Sequence, residues 1–223
     1  MNKVLVIAPH PDDETLGCGG TLLRHRKEGD ELFWAICTTM KVKEGWPAKK
    51  IKQRNNEIKT VREAYQFKEI FYLNCPTTKV DTFPISDLIG KFGDIIDNVS
   101  PEIIYIPFSH DVHTDHQVIT KAVQSTIKWF RYPSIQKVLM YETLSETEYN
   151  YIGVQVFRPN VFVNISEFIN DKIETMNIYA SELKEHPFPR SEKSIKALAT
   201  LRGSQCGCAS AEAFQLVMER QLL

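Results

Sequence analysis

The chain has 223 residues, of which 43% are hydrophobic and 25% are charged, and this composition is typical of a globular protein. Its 27 basic and 28 acidic residues give a formal net charge of −1 at pH 7. Such a balance provides no electrostatic attraction toward nucleic acid or an anionic membrane surface, so we expect neither as a partner. The length predicts one domain spanning residues 1–223.

The N-terminus lacks the features of an export signal. Its apolar run covers only residues 4–8 before charged residues follow, which is too short for a signal peptide. No apolar run approaches the roughly 18 residues that a membrane span requires. The five cysteines match no four-thiolate zinc spacing and are expected to be reduced thiols. These features predict a cytoplasmic protein.

Apolar runs alternate with stretches of helical periodicity in the first two thirds of the chain. Near-continuous apolar runs predict buried strands at 4–8, 32–38, 70–73, 103–107 and 138–141. Helices are predicted between them, at 15–28, 49–67, 85–98 and 117–130. This alternation is typical of a Rossmann-like, doubly wound α/β fold, in which a mainly parallel sheet carries helices on both faces.

The last third of the chain has a less regular pattern. Residues 161–165 predict one further strand, and residues 166–179 predict a helix with Ser166 as its N-cap. Helices are also expected at 191–201 and 209–222. The two prolines of EHPFPRS, at 185–191, predict a loop.

A first polar cluster, residues 10–14, follows the first predicted strand directly. His10 precedes a proline and is therefore expected to be extended, at the carboxyl end of the strand where open α/β sheets bind ligands. Three carboxylates follow, those of Asp12, Asp13 and Glu14. They could simply complement a helix N-terminus, but that role explains neither the histidine nor the second aspartate. A divalent metal ion accounts for both.

A second polar cluster, residues 110–116, follows the strand predicted at 103–107 and includes His110, His113 and His116. If the two strands are parallel in one sheet, both clusters emerge at the same edge and face each other across one crevice. We therefore expect them to bind one metal ion. Two imidazoles and a carboxylate without a thiolate favour zinc, although Fe²⁺, Co²⁺ or Mn²⁺ would suit the same ligands.

The two clusters also resemble the motifs of a known family. APHPDDETLGCGG, at 8–20, is similar to the A-H-P-D-D-E signature of the LmbE-like, or PIG-L, zinc-dependent deacetylases, and HTDH, at 113–116, is similar to their H-x-D-H motif. The resemblance implies an LmbE-like fold and hydrolysis of the N-acetyl group of an amino sugar, such as a glycoside or a nucleotide-linked sugar. The segments 40–50 and 185–191 match nothing in the family, so the sugar is not identified.

The resemblance implies a role for individual residues in the two clusters. The zinc ligands would be His10, Asp13 and His116. Asp12 would be the general base that activates water. The resemblance implies a small-molecule substrate. It also implies a possible homo-oligomer, because proteins of the family often assemble in this way.

Further residues are expected around the metal. His113, oriented by Asp115, would stabilise the developing oxyanion or protonate the leaving amine. Arg54 begins an R-x-x-E pattern whose arginine usually faces the substrate, although it could also be a solvated helix charge. His110 would contact the substrate or support the metal ligands, and Glu212 is expected mainly to serve packing.

Two other functions are open from the sequence. The chain could be a metal amidase that acts on another acyl or carbamoyl amide. It could also be a Rossmann-like nucleotide-binding protein with incidental histidines, which would bind no metal tightly.

Overall fold

The computed structural model describes residues 1–152 and 155–221. Within these ranges the chain forms a seven-stranded sheet and six α-helices. The strands are β1 Lys3–Ala8, β2 Glu31–Thr39, β3 Glu69–Pro76, β4 Ile103–Pro107, β5 Lys137–Tyr141, β6 Val161–Asn164 and β7 Ala211–Glu219. The helices are α1 Asp13–Glu28, α2 Ala48–Tyr65, α3 Ile85–Val99, α4 Thr114–Thr126, α5 Ile169–Ile178 and α6 Glu192–Cys206.

The strand order of the sheet is β3-β2-β1-β4-β5-β7-β6. Strands β1 to β5 run parallel, whereas β7 is antiparallel to both of its neighbours. From β1 the sheet extends through β2 to β3 in one direction, and from β4 it extends through β5 in the opposite direction. The predicted fold class is therefore confirmed, and the ligand crevice of such a sheet lies where the order reverses, between β1 and β4.

Helices cover both faces of the sheet. On one face Val4 and Val6 of β1 pack in a buried layer with apolar residues of α1, α2, α5 and α6. On the other face Leu5 and Ile7 pack with residues of α3 and α4. Because both faces are buried, β1 reads as a continuous apolar run. No helix within residues 1–152 or 155–221 is both long and apolar enough to cross a membrane.

Small residues in α1 allow this helix to lie close to its neighbours. An ideal Cβ at Gly17 would be 2.2 Å from Cδ2 of Tyr141, and one at Gly20 would be 2.7 Å from Cγ2 of Ile165. Tyr141 is fully buried, and its hydroxyl donates to the carbonyl of Ile7 at 2.8 Å. Gly17 therefore allows α1 to pack against β5, and Gly20 allows it to pack against the residue that follows β6.

Replacing Gly17 with alanine is expected to lower the free energy of unfolding by about 1–3 kcal/mol, because the new methyl group displaces a buried aromatic ring. Gly90 of α3 is the matched control, since a Cβ there meets nothing within 4 Å. Gly90→Ala should be neutral or stabilising by up to about 1 kcal/mol. Urea unfolding of both variants measures the difference, and equal stabilities would contradict the packing argument.

The C-terminal segment corrects one prediction. A helix was predicted over 209–222, but residues 211–219 form strand β7. Leu222, the last residue of the predicted helix, lies outside the described residues. Ala, Glu, Gln, Leu and Met favour a helix by intrinsic propensity. Pairing with both β5 and β6 overrides this preference, because the segment completes the ladders of two strands at once.

The starts of two helices differ from prediction by three residues. Helix α5 begins at Ile169, and Ser166 does not cap it, because the backbone N–H and Oγ of Ser166 both donate to Oδ1 of Asn164 at 2.9 and 2.7 Å. Helix α4 spans Thr114–Thr126 and starts three residues before the predicted 117–130 helix. This early start places the second polar cluster at the N-terminus of α4.

Candidate active site

The two polar clusters meet at the carboxyl ends of β1 and β4, which are hydrogen-bonded neighbours. Nδ1 of His10 lies 3.3 Å from Oδ2 of Asp13, and Nε2 of His116 lies 3.3 Å from the same oxygen. One ligand atom from each of these three residues falls within 4.8 Å of the others. The structure thus gathers three residues from turns about one hundred positions apart, as parallel strand pairing requires.

The turn after β1 gives each of its three carboxylates a different environment. Asp13 Oδ2 accepts the backbone N–H of His10 at 2.7 Å and faces the histidines. Glu14 accepts the backbone N–H of Asp12 at 3.1 Å and the hydroxyl of Tyr179 at 2.9 Å, so it secures the turn. Asp12 itself has φ 139°, a backbone conformation that costs a non-glycine residue about 1–3 kcal/mol.

In both His10 and His116, the ring nitrogen that does not face Asp13 contacts another carboxylate. Nδ1 of the fully buried His116 is 2.8 Å from Oδ2 of Asp111, while its Nε2 is buried without a hydrogen-bond partner among the described residues. Nε2 of His10 is 3.1 Å from Oδ2 of Asp115. A carboxylate behind an imidazole fixes the ring and raises its basicity, which is the usual arrangement around metal-binding histidines.

The sequence predicted that Asp115 orients His113, but the carboxylate of Asp115 does not contact that ring. That carboxylate contacts His10 and accepts the backbone N–H groups of Thr78 and Val80 at 2.8 and 3.1 Å. It is instead the backbone N–H of Asp115 that donates to Nδ1 of His113 at 3.1 Å, because His113 is the N-cap of α4. A neutral His113 therefore carries its proton on Nε2.

The carboxylates give the cluster a negative field. Burial lowers the pKa of His10, but its hydrogen bonds to Asp115 and Asp13 outweigh this and raise the pKa to about 9. The pKa of His116 is likewise raised against burial, chiefly by Asp13. His113 behaves in the opposite way, because burial and the two other histidines lower its pKa to about 4. The same field that favours protons on two of the histidines favours a bound cation.

A cavity of about 230 Å³ opens beside the cluster. Asp12, Asp13 and His113 form part of its polar wall. The segments 40–50 and 185–191 also contribute to the wall, with Trp46 from the first and Arg190 from the second. The cavity therefore joins the candidate metal ligands to residues of two loops that lie far apart in the sequence.

Arg54 lines the same cavity and is only 7% exposed, so it is not a solvated helix charge. Its guanidinium donates to the carbonyl of Pro11 and to Glu182, and its Nε lies 3.1 Å from Glu57. Arg54 thus connects the turn after β1 with the segment that follows α5.

The structure does not bring His110 to the cavity. Nδ1 of His110 lies 2.8 Å from Oγ of Ser109, its ring packs against Phe108, and it is absent from the described residues of the cavity wall. Glu212 is also remote from the three ligand atoms. It pairs with Lys172 at 2.6 Å and accepts backbone N–H groups of α1, so it serves packing as predicted.

Sequence reasoning missed the partner of Asp12. Nη1 of Arg190 lies 3.1 Å from Oδ2 of Asp12 and 3.3 Å from Oε2 of Glu182. Burial, then Asp13 and Glu182, raise the pKa of Asp12, while Arg190 and Arg54 act in the opposite direction. No local signal reveals this contact, because 178 positions separate the two residues and EHPFPRS shows only the character of a loop.

Comparison with known proteins agrees with this geometry. The chain is 24% identical over 226 residues to the diacetylchitobiose deacetylase of Thermococcus kodakarensis, covering 97% of this chain and 84% of that protein. It is 25% identical over 189 residues to a probable N-acetyl-alpha-D-glucosaminyl L-malate deacetylase 2 of Bacillus cereus, covering 80% and 83%.

Solved structures share the fold along the whole chain. The N,N′-diacetylchitobiose deacetylase of Pyrococcus horikoshii has a TM-score of 0.78 at 20% identity, covering 97% of this chain and 84% of that one. The sequence profile of the family described as "PIG-L: GlcNAc-PI de-N-acetylase" matches residues 5–127, which contain both polar clusters. Since this match extends over more than half of the chain, the resemblance is confirmed: the protein belongs to the PIG-L (LmbE-like) family.

Proposed function

We propose that this protein is a metal-dependent hydrolase that removes the N-acetyl group from a small acetylated amino sugar. One observation carries the proposal. Three ligand atoms converge at Asp13, and the adjacent Asp12 places a second buried carboxylate on the wall of the same cavity. Membership of a family described by GlcNAc-PI de-N-acetylase, and relatives named as deacetylases of acetylated sugars, support the type of reaction.

We propose zinc as the metal and His10, Asp13 and His116 as its ligands. Ligand atoms about 2.1 Å from a tetrahedral zinc ion lie about 3.4 Å from one another. This agrees with the 3.3 Å that separates Asp13 Oδ2 from each histidine nitrogen. Nε2 of His116, which has no hydrogen-bond partner among the described residues, supports its choice as a ligand, because metal ligation would satisfy this nitrogen. Fe²⁺, Co²⁺ and Mn²⁺ accept the same donors, so metal analysis decides among them.

A bound zinc ion supplies a Lewis acid that acidifies water and polarises a carbonyl group. The chain supplies the proton transfers. Oδ2 of Asp12 is held by Arg190, and Oδ1 has no hydrogen-bond donor among the described residues. We assign to Oδ1 the proton of the attacking water, which Asp12 then returns to the departing nitrogen.

His113 is assigned to the carbonyl oxygen. Because its Nδ1 accepts a backbone N–H and its pKa is lowered to about 4, the ring is neutral near pH 7 and donates through Nε2. This favours stabilisation of the developing oxyanion over protonation of the amine. We assign Arg54, on the cavity wall, to the sugar, and leave His110 without a role in binding.

The test is acetate release by zinc-loaded protein from N-acetylglucosamine, N,N′-diacetylchitobiose and an N-acetylglucosaminyl glycoside. We expect release from at least one of these sugars, and chelation followed by zinc addition should abolish and restore it. N-carbamoyl and N-benzoyl analogues of the same sugars form the comparison set. Preference for those amides would favour the alternative amidase. A folded protein that neither binds zinc nor responds to chelators would contradict the proposal and favour the nucleotide-binding alternative.

A further inference from the structure

The carboxylate of Asp12 has one charged partner at hydrogen-bond distance among the described residues, the guanidinium of Arg190. Nη1 of Arg190 lies 3.1 Å from Oδ2 of Asp12, which is 3% exposed. Arg54 is equally close to the turn, but its Nη1 donates to the carbonyl of Pro11 rather than to the carboxylate. Arg54 thus binds the backbone of the turn, and Arg190 binds the side chain of Asp12.

The loop before α6 holds Arg190 firmly in this place. Ser191 follows directly and caps α6, with Oγ accepting the backbone N–H of Ser194 at 3.2 Å. The backbone N–H of Ser191 also donates to the carbonyl of Phe188 at 3.0 Å. The ring of Phe188 lies 5.5 Å from the guanidinium carbon of Arg190, and Oε2 of Glu182 lies 3.3 Å from its Nη1. A cap, an aromatic ring and a carboxylate therefore fix the side chain that reaches Asp12.

We propose that Arg190 is a positioning residue for the reaction: by binding Oδ2 of Asp12 it holds the carboxylate so that Oδ1 faces the attacking water. This inference rests on the proposed function, in which Asp12 is the general base. A carboxylate on a strained backbone turn can rotate about its side-chain bonds, so one fixed oxygen determines where the other points. Charge-assisted hydrogen bonds of this kind are strong and directional.

The geometry argues against a purely structural ion pair. Nε of Arg190 is buried without a partner among the described residues, so the guanidinium is not placed to satisfy all of its donors. The side chain is 23% exposed and forms part of the cavity wall, which is where a reacting group would need support. Among the described residues its ion pairs both use Nη1, which lies close to Asp12 and Glu182.

The kinetic test compares the wild type with Arg190→Ala and Arg190→Lys. We expect kcat of Arg190→Ala to fall by about 10–100-fold, the usual loss when a supporting residue is removed. KM and zinc content should stay near wild-type values. Guanidinium chloride at millimolar concentration should restore part of kcat in Arg190→Ala, and Arg190→Lys should keep intermediate activity. Lys193→Ala is the control, because it removes an exposed cation at the start of α6 whose side chain has no hydrogen bond or ion pair among the described residues.

A double variant distinguishes positioning from direct contact with the substrate. If Arg190 acts through Asp12, adding Arg190→Ala to Asp12→Asn changes the residual rate by less than about two-fold, since coupled residues are not additive. A further loss in the Asp12→Asn background, or a raised KM with unchanged kcat, would overturn the proposal.

Crystal structures of zinc-loaded wild type and Arg190→Ala provide a measurement that does not depend on turnover. The carboxylate of Asp12 should rotate or become disordered in the variant, whereas an unchanged orientation would overturn the proposal. If the wild type releases acetate from no acetylated sugar, the proposed function fails. The orientation of Asp12 in the two crystal structures then still shows whether Arg190 positions it.

Discussion

Replacing His116 with alanine is expected to reduce bound zinc to background and to abolish acetate release. His116 is fully buried, its Nδ1 contacts Asp111, and its Nε2 lies 3.3 Å from Asp13 Oδ2 without a hydrogen-bond partner among the described residues. A methyl group supplies no donor there, and the two remaining proposed ligands are too few for the three-ligand set of a catalytic zinc site. Metal analysis of the purified variant and an acetate assay measure both effects.

His110→Ala is the matched control for this experiment. It removes a histidine from the same turn, but one that lies apart from the three ligand atoms, so the variant should keep its zinc. Because His116→Ala also leaves Asp111 buried without its histidine, circular dichroism must show that the variant is folded. Asp111→Asn provides a milder second variant, with zinc affinity expected to fall by about 10–100-fold. Stoichiometric zinc in folded His116→Ala would contradict the ligand assignment.

The meeting of the two polar clusters was predictable because it depends on simple rules. Buried parallel strands are apolar along their whole length, and both clusters directly follow such strands. Once β1 and β4 lie in one parallel sheet, their carboxyl ends must share an edge. The common edge that holds His10, Asp13 and His116 therefore follows from the parallel sheet that the alternating pattern predicts, whereas the pairing of β1 with β4 comes from the structure.

The contacts that the sequence did not reveal are set by tertiary structure. Residues 211–219 have a composition that favours a helix. They form a strand because they pair with both β5 and β6. Asp115 lies two positions after His113, yet its carboxylate turns to His10, because the helix begins between them and sends the side chain toward β1. Arg190 reaches Asp12 from a loop with no recognisable motif. Each case depends on a partner distant in sequence.

Replacing Asp12 with asparagine is expected to lower kcat by about 10²–10⁴-fold while zinc content stays near that of the wild type. Asparagine has nearly the shape of aspartate and the same substitution at Cβ, so the contacts that hold Asp12 at φ 139° should also hold asparagine there. What the variant lacks is an oxygen that can take and return a proton. The kinetic constants and the metal content of the same preparation are the measurements.

Asp13→Asn is the matched variant for comparison with Asp12→Asn. The two aspartates are adjacent and both buried, but only Asp13 Oδ2 lies 3.3 Å from both histidine nitrogens, whereas Asp12 Oδ2 is held by Arg190. Loss of zinc and activity together is therefore expected for Asp13→Asn, and loss of activity alone for Asp12→Asn. If Asp12→Asn lost both in equal measure, Asp12 would be a metal ligand, and the water would need a different base.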